Sequence, residues 1–386
     1  MTPAQPVGDA LDLGGSDGVL PSQVLQRAVD AGWVGAGEYK IPATSIQPAS
    51  IDLRLGEVAY RIRCSFLPGD EAVDHKVKDH ILDELDLRRD GAVLETNRPY
   101  LIPLAEELAL PVGVRGRANP KSSTGRLDVF TRVITDESHR FDEIADGYHG
   151  RLYLEVVPLS FTVRVRQGLA LNQLRLMTGR SSLGDTELRA RHAESPVLFS
   201  KARPVPDDQL VTSGGLFLSL DLRGDADGRV GYRARDNASL LDMSRVGAYR
   251  PEEFWEPVHR EGADRIVLAP ERFYLLMSEE SVVVAPDLAA EMTAYDPTSG
   301  ELRTHYAGFF DPGFGFDPAG HLPGSRAALE VRAHDVPFMV EHGQRVCRLT
   351  FERMMAPPAK LYGTDIGSSY QGQEETLSKH FRPGGT

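Results

Sequence analysis

The stretch Asn-Pro-Lys-Ser-Ser-Thr-Gly-Arg at 119–126 combines residue types that bind phosphate. A Gly/Ser turn exposes successive backbone N–H groups, which together form a concavity suited to anions. Ser122 and Ser123 add hydroxyl donors, while Lys121 supplies a point charge and Arg126 a forked one. The stretch is equally typical of a solvated polar turn with two cations. It indicates a phosphate-binding turn only if other residues support that role.

A second candidate for chemistry is Glu155, within the apolar run Gly-Arg-Leu-Tyr-Leu-Glu-Val-Val-Pro-Leu at 150–159. A carboxylate in such a strand is costly to bury unless it is paired. Burial would raise the pKa of Glu155, whereas a nearby Arg126 would lower it. A glutamate tuned in this way can take a proton from water and return it to a ring nitrogen. The alternative is a glutamate at a strand end that faces solvent.

The composition is ordinary for an enzyme or binding protein. The chain has 386 residues, 41% hydrophobic and 26% charged, with a formal charge of −13. This charge argues against duplex nucleic acid as the main partner. The two cysteines, Cys64 and Cys347, lie far apart in the sequence, which excludes a disulfide framework and a multi-cysteine zinc site. Because we find neither a signal-peptide pattern nor a long apolar run, we expect a cytoplasmic protein without membrane partners.

The elements around these residues are predicted to be mostly strands. Short alternating runs separated by Gly, Pro and Asp indicate all-β domains rather than βαβ units. Apolar residues at helical spacing predict a helix over 20–31, and a second helix is predicted over 251–260. We expect a flexible tail at 1–19 and a linker with a short helix at 181–214.

The two β blocks, 20–180 and 215–362, resemble each other. Landmarks with a single offset indicate a duplicated fold, although β-sandwich sequences can also resemble each other by chance. Four landmarks recur 175 residues later: Pro111 as Pro286, Leu-Glu-Val 154–156 as 329–331, Gly168 as Gly343, and Leu174 as Leu349.

Four motifs together resemble the dCTP deaminase/dUTPase superfamily, and dCTP deaminases most of all. They are Gln-Pro-Ala-Ser-Ile-Asp-Leu-Arg-Leu-Gly at 47–56, Lys-Ser-Ser-Thr-Gly-Arg at 121–126, Gly-Tyr-His-Gly at 147–150 and Tyr-Gln-Gly-Gln at 370–373. The resemblance implies a mainly β chain with two tandem dUTPase-like domains, each a distorted β-barrel or jelly roll, and a few short helices. It also implies hydrolytic deamination of dCTP to dUTP and ammonia, with Mg²⁺ bound through the triphosphate and no zinc.

The resemblance assigns roles to individual residues. Ser122 and Arg126 match the serine and arginine beside the reacting base, and Lys121 and Ser123 match residues on the phosphate side. Glu155 matches the catalytic glutamate, which dUTPases generally lack. Further nucleotide contacts are implied for Asp146, Tyr148, Gln173, Tyr362, Tyr370, Gln371 and Gln373. Since zinc deaminases need a P-C-x-x-C signature that this sequence lacks, we expect Glu155 to activate water directly.

The two halves are predicted to differ in function. At the shared offset, the residues of the 121–126 turn fall on Pro297, Thr298 and Glu301, so the cradle is missing from the second half. The first half lacks the nucleotide-closing arm expected at 363–386. We therefore hypothesise that each site combines the first half's cradle and Glu155 with the second half's arm, within or between chains. Glu330 has no serine/arginine partner in its own half and is expected to be dispensable.

Two other functions fit the same motifs. A dUTPase, or a bifunctional enzyme that converts dCTP to dUMP and pyrophosphate, would use the same fold and cradle. A non-catalytic nucleotide-binding regulator is a third reading, which the presence of Ser122, Arg126 and Glu155 disfavours. The resemblance also implies a homo-oligomer, normally a trimer, and makes dTTP a candidate feedback inhibitor.

Overall fold

The computed structural model shows a mainly β chain with a few short helices. It describes residues 13, 15–294, 302–304, 308–319, 323–333, 335–363, 366, 370–372 and 376–383. Pro297, Thr298, Glu301 and Gln373, which the sequence had singled out, lie outside these residues. No helix in the described ranges is long and apolar enough to cross a bilayer.

The helices are few and short. The first begins after Pro21, buries Val24, Leu25 and Ala28 on one face, and ends before Gly32, which has a φ of 79°; the predicted helix over 20–31 is confirmed. The helices are α1 (Ser22–Asp30), α2 (Val73–Val77), α3 (Ser122–Gly125) and α4 (Asp185–Glu194), with 3₁₀ turns at Ala43–Ser45, Lys78–His80 and Pro251–Glu253.

The first half forms two main sheets. One has the order β1-β13-β8-β10 with β3 also on β13, and the other has the order β5-β4-β7-β11-β9 with β2 beside β7. The strands are β1 (Gly18–Val19), β2 (Val34–Gly35), β3 (Ile51–Arg54), β4 (Val58–Ile62), β5 (Ile81–Asp86), β6 (Ala92–Leu94), β7 (Tyr100–Ala109), β8 (Val114–Pro120), β9 (Val129–Thr135), β10 (Glu143–Ile144), β11 (His149–Pro158), β12 (Val163–Val165) and β13 (Ala170–Thr178).

The second half repeats this arrangement. One sheet has the order β16-β27-β22-β24, and the other has the order β15-β14-β21-β17-β19 with β25 on β21 and β23 on β25. The strands are β14 (Leu198–Ser200), β15 (Arg203–Pro204), β16 (Leu216–Ser219), β17 (Arg229–Ala234), β18 (Leu241–Asp242), β19 (Trp255–His259), β20 (Arg265–Leu268), β21 (Phe273–Val282), β22 (Leu288–Ala294), β23 (Leu302–Thr304), β24 (Gly308–Phe310), β25 (Ser325–Ala333), β26 (Phe338–Glu341) and β27 (Arg345–Arg353).

Equivalent strands make equivalent pairings, which confirms the duplicated fold. β13 and β27 lie 175 residues apart. β13 pairs with β3 on one side and β8 on the other, and β27 pairs with β16 on one side and β22 on the other. In the second sheet of each half, β11 pairs with β7 and β25 pairs with β21. Glu155 on β11 and Glu330 on β25 therefore occupy equivalent positions.

Two local expectations differ from the structure. The helix predicted over 251–260 is wrong: a single 3₁₀ turn leads into β19, because Pro257 cannot donate within a helix and the buried Trp255 packs against Phe161. The segment 181–214 contains the expected short helix, α4, but it is more than a linker, because its strand β14 pairs with β21 of the second half.

The two halves are joined by buried charges and a shared core. Arg175 of β13 is fully buried and forms ion pairs with Asp311 (3.2 Å) and Glu352 (3.0 Å) of the second half. Asp128 pairs across the same boundary with Arg332. Buried charges persist only when paired, so these contacts fix how the halves sit against each other. The core of the first half also includes second-half side chains such as Phe254, Trp255 and Phe273.

Candidate active site

The 121–126 stretch forms a helical turn between two strands. β8 ends at Pro120, α3 follows, and the amides of Thr124 and Gly125 donate to the carbonyl of Lys121 at 2.8 and 3.1 Å. The first N–H groups of such a turn have no partner within it. The Ser122 side chain is exposed there, so the turn presents a hydroxyl group together with backbone donors.

This turn faces two neighbouring chambers between the halves. The apolar chamber is lined by Gly125, Arg126, Glu330 and several apolar side chains. The polar chamber is lined by polar groups including Ser123 and Lys379. The two chambers share six lining residues: Lys121, Ser122, Phe309, Asp311, Tyr362 and Tyr370. The chambers are therefore adjacent, and their linings differ in polarity.

Glu330 is the carboxylate that meets the turn. It lies on β25 opposite Leu275, and a Cβ built on Gly125 would lie 2.6 Å from its Oε2 atom. Its side chain is partly open to the chamber although it lies deep in the protein. Burial raises the pKa of Glu330 to about 8, while Arg126 acts to lower it and Asp128 to raise it. Glu330 therefore has the acidity of a general acid or base near neutral pH.

Arg126 is held from the C-terminal segment of the chain. It is buried, and its Nη1 donates to the carbonyls of Thr376 at 3.2 Å and Leu377 at 3.4 Å. Its Cζ atom lies 3.8 Å from the centre of the Tyr370 ring. The guanidinium thus reaches the apolar chamber in an orientation fixed by hydrogen bonds and a stacked ring.

The segment 308–316 of the second half, strand β24 and the turn after it, forms another wall. Asp311 lines both chambers and is fixed by its ion pair with Arg175. The rings of Phe310 and Phe314 meet edge to face at 4.9 Å, and Phe314 lies 5.7 Å from the ring of Tyr362. This wall supplies flat apolar surface beside Glu330.

The sequence reasoning missed this segment, although a signal for it exists. The first half has Ala-Asp-Gly-Tyr-His-Gly at 145–150, before Glu155, and the second half has Asp-Pro-Gly-Phe-Gly-Phe at 311–316, before Glu330. Both stretches contain a glycine followed by an aromatic residue, Gly147-Tyr148 and Gly313-Phe314. This motif could have directed attention to Glu330.

The polar chamber contains two lysines close to each other. Lys121 forms an ion pair with Asp52. Burial lowers the pKa of Lys379, and repulsion from Lys121 lowers it further. Burial raises the pKa of Asp52 more than Lys121 lowers it. Lys121, Lys379 and Gln173, which lines the same chamber, offer donors to the oxygens of a phosphate chain.

Glu155 is not where the sequence reasoning placed it. It lines neither chamber, is fully buried, and lies opposite Arg132 of β9, whose Nη2 is 2.6 Å from its Oε1. Arg132 in turn lies 3.8 Å from the centre of the Phe141 ring. The strand register thus gives Glu155 a partner other than Arg126, and the structure brings Glu330 to Arg126 instead.

Asp146 and Tyr148 are also placed away from the chambers. The Asp146 carboxylate accepts hydrogen bonds of 2.9 and 3.1 Å from the Gly113 amide. The Tyr148 hydroxyl donates to the carbonyl of Arg151 at 2.7 Å, and burial raises its pKa to about 12. Both side chains hydrogen-bond to backbone groups near them, and neither lines the two chambers.

The arm residues divide into two groups. Tyr362 and Tyr370 line both chambers. Gln371 does not; its Oε1 accepts from the Gly315 amide at 3.1 Å and its Nε2 donates to the Gly313 carbonyl at 3.2 Å, which ties the arm to the 308–316 segment.

Two family models match this chain. The family model described as 2'-deoxycytidine 5'-triphosphate deaminase, N-terminal domain, matches residues 16–180. The model described as the C-terminal domain of the same deaminase matches residues 184–381. Together they span almost the whole described chain.

Two individual proteins are similar to part of this chain. A dCTP deaminase of Natronomonas pharaonis is 26% identical over 50% of this chain and 90% of its own length. A protein of Parafrankia sp. named "dCTP deaminase, dUMP-forming" is 33% identical over 42% of this chain and 77% of its own length.

A solved structure matches nearly throughout. The crystal structure of 2'-deoxycytidine 5'-triphosphate deaminase from Agrobacterium tumefaciens has a TM-score of 0.81 and 43% sequence identity, covering 88% of this chain and 99% of that chain. This similarity confirms the expected fold of tandem dUTPase-like domains. The chain therefore belongs to the dCTP deaminase family, in its two-domain form.

Proposed function

We propose that this chain catalyses the hydrolytic deamination of dCTP to dUTP and ammonia. The observation that carries the proposal is the position of Glu330: its carboxylate lies against Gly125, in a chamber that also contains Ser122 and Arg126. Each chain would thus form one site from the cradle of its first half and the glutamate of its second half. Domain interfaces commonly form such small-molecule sites.

The apolar chamber suits the cytosine ring and its chemistry. In the proposed reaction, ionised Glu330 removes a proton from a water molecule as the oxygen attacks C4 of the ring. The carboxyl group delivers this proton to N3. It then takes the remaining proton from the C4 hydroxyl and gives it to the amino group, which leaves as ammonia as the C4 carbonyl forms. The products account for every atom of dCTP and one water.

Arg126 and Ser122 support this transfer. The Arg126 guanidinium favours the ionised form of Glu330 and stabilises negative charge that develops near the base. The exposed Ser122 hydroxyl lines both chambers and can hydrogen-bond to the attacking water. No metal-bound hydroxide is needed for this route.

The polar chamber suits the triphosphate. Lys121, Ser123, Gln173 and Lys379 provide cations and hydrogen-bond donors for phosphate oxygens. In the described part of the chain, no three His, Cys, Asp or Glu side chains form a group that could hold a metal ion. A magnesium ion would accordingly be held mainly by the phosphates, whose charge it would partly neutralise.

A second candidate is conversion of dCTP to dUMP and pyrophosphate. It is favoured by relatives such as the Parafrankia sp. protein, whose name states that it forms dUMP. The deaminase step and the site would be the same, with an additional hydrolysis between the α and β phosphates.

The test is to incubate the purified chain with dCTP, dUTP and CTP in turn, with and without magnesium, while ammonia and pyrophosphate are both measured. We expect ammonia from dCTP without pyrophosphate. Equal amounts of both products from dCTP would establish the second candidate, and no turnover of any nucleotide would contradict both.

Further expectations concern the location, the oligomeric state and the inhibition of the enzyme. We expect a cytoplasmic homo-oligomer. We also expect dTTP to act as a feedback inhibitor by competing for the same two chambers, since it shares the deoxyribose and triphosphate of the substrate.

A further inference from the structure

The contacts of Arg126 point to a role for the C-terminal arm beyond covering the nucleotide. We propose that Tyr370 is a positioning residue that, together with the carbonyls of Thr376 and Leu377, fixes the catalytic orientation of Arg126. This inference rests on the proposed function and deepens it. It assigns Tyr370 to the base end of the site, whereas the family resemblance implied a contact with the nucleotide.

The geometry around Arg126 leaves little rotational freedom. The stacked ring of Tyr370 restricts the plane of the guanidinium, whose centre lies 3.8 Å from the ring centre. The two carbonyl oxygens, 3.2 and 3.4 Å from Nη1, restrict rotation within that plane. A planar guanidinium held by both a face and an edge keeps its remaining N–H groups aimed in fixed directions.

The arm itself is anchored to the body of the protein. The buried Ser378 donates from its Oγ to the carbonyl of Ser123 at 3.1 Å. His380 contacts the Ser378 hydroxyl at 2.8 Å and the Met243 carbonyl at 3.0 Å. Phe381 packs 5.4 Å from the ring of Phe254 within the shared core. The arm that holds Arg126 is therefore fixed to the body of the protein at residues 378–381.

The arm also connects the two chambers. The hydroxyl of Tyr370 accepts a hydrogen bond of 3.2 Å from the backbone amide of Lys379, whose side chain lines the polar chamber. Movement of the arm would therefore change the phosphate contacts and the orientation of Arg126 together. Loss of the Tyr370 ring should lower kcat, whereas loss of the Lys379 side chain should mainly raise KM.

The kinetic test compares Tyr370→Leu with Tyr370→Phe. Tyr370→Leu removes the ring and should lower kcat for dCTP about tenfold or more at saturating substrate. Tyr370→Phe keeps the ring and should stay near the wild-type kcat. In an Arg126→Lys background, Tyr370→Leu should have little further effect on kcat, because the guanidinium it positions is absent. Arg382→Ala, on the exposed end of the arm, serves as the control.

A second readout does not depend on turnover. In protein with isotope-labelled arginine, the NMR signal of the Arg126 side-chain NεH, assigned by its absence in Arg126→Lys, should shift in Tyr370→Leu and stay near its wild-type position in Tyr370→Phe. A Tyr370→Leu variant that raises only KM and leaves this signal unmoved would overturn the inference. Absence of ammonia from dCTP with wild-type protein would instead reject the proposed function, while the NMR comparison would still decide whether Tyr370 positions Arg126.

Discussion

At the scale of single residues, the account depends on the environment of Glu330. The carboxyl group is enclosed by the second half's own strand and by the first half's turn, so burial dominates its pKa. Arg126 offsets only part of this effect. A glutamate of this kind is partly protonated at neutral pH and can both accept and donate a proton.

This environment predicts the pH dependence of the reaction. Because the ionised form must accept the proton from water and the pKa of Glu330 is raised to about 8, kcat/KM for dCTP should rise by about tenfold per pH unit from pH 6 to 7. It should level off above pH 8. Initial rates of ammonia release at subsaturating dCTP would measure this profile, and a flat profile between pH 6 and 8 would contradict the assignment.

Gly125→Ala tests the contact between the turn and Glu330. The backbone of Gly125 is helical and accepts alanine, but the new Cβ would lie 2.6 Å from the Glu330 carboxylate and displace it. We expect kcat to fall by about a hundredfold, with the thermal unfolding temperature nearly unchanged.

Gly35→Ala is the matched control, since the nearest atom to its added Cβ is 3.6 Å away. Equal kcat values for the two alanine variants would show that Glu330 does not need its position beside Gly125.

At the scale of elements, the sequence predicted the duplicated fold better than it predicted which residues of the two halves come into contact. The alternation of apolar and polar residues along each strand and the 175-residue offset can both be seen in the sequence. The pairings of β13 and β27 confirm them. Which glutamate meets the cradle depends on how the halves pack. Glu155 and Glu330 lie in equivalent strands, and the Asp-Pro-Gly-Phe stretch at 311–314 is the local signal that separates them, beside the tertiary contact of Glu330 with Gly125.

Other differences at this scale have local causes. The helix predicted over 251–260 does not form because Pro257 interrupts the segment. The 311–316 segment was missed because its counterpart at 143–150 carries the family's Gly-Tyr pair. The register that pairs Glu155 with Arg132 also could not be read from one sequence, because Arg132 lies on a neighbouring strand.

At the scale of the whole molecule, the halves act as one unit. Arg175 is fully buried between two second-half carboxylates, and Asp311, one of these, also lines the chambers. The same cluster that joins the halves therefore shapes the site. The proposal of one working site per chain rests on this asymmetric pairing of first-half cradle and second-half glutamate.

Arg175→Leu tests this coupling. The variant leaves Asp311 and Glu352 buried without their partner, so we expect the free energy of unfolding to fall by about 3–5 kcal/mol. Urea unfolding followed by fluorescence would measure it. Arg180→Leu, which removes an exposed ion pair with Glu187, should change stability little. Similar stability of both variants would mean that the buried cluster does not hold the halves together.

The central claim is that Glu330, rather than Glu155, moves the proton in deamination. The most direct measurement is kcat for ammonia release from dCTP by Glu330→Gln and Glu155→Gln, each checked for intact folding by thermal unfolding. The account predicts a loss of about a thousandfold for Glu330→Gln. Glu155→Gln, which keeps the size of the side chain beside Arg132, should retain kcat close to wild type. Loss of activity in folded Glu155→Gln with activity retained in Glu330→Gln would contradict the account.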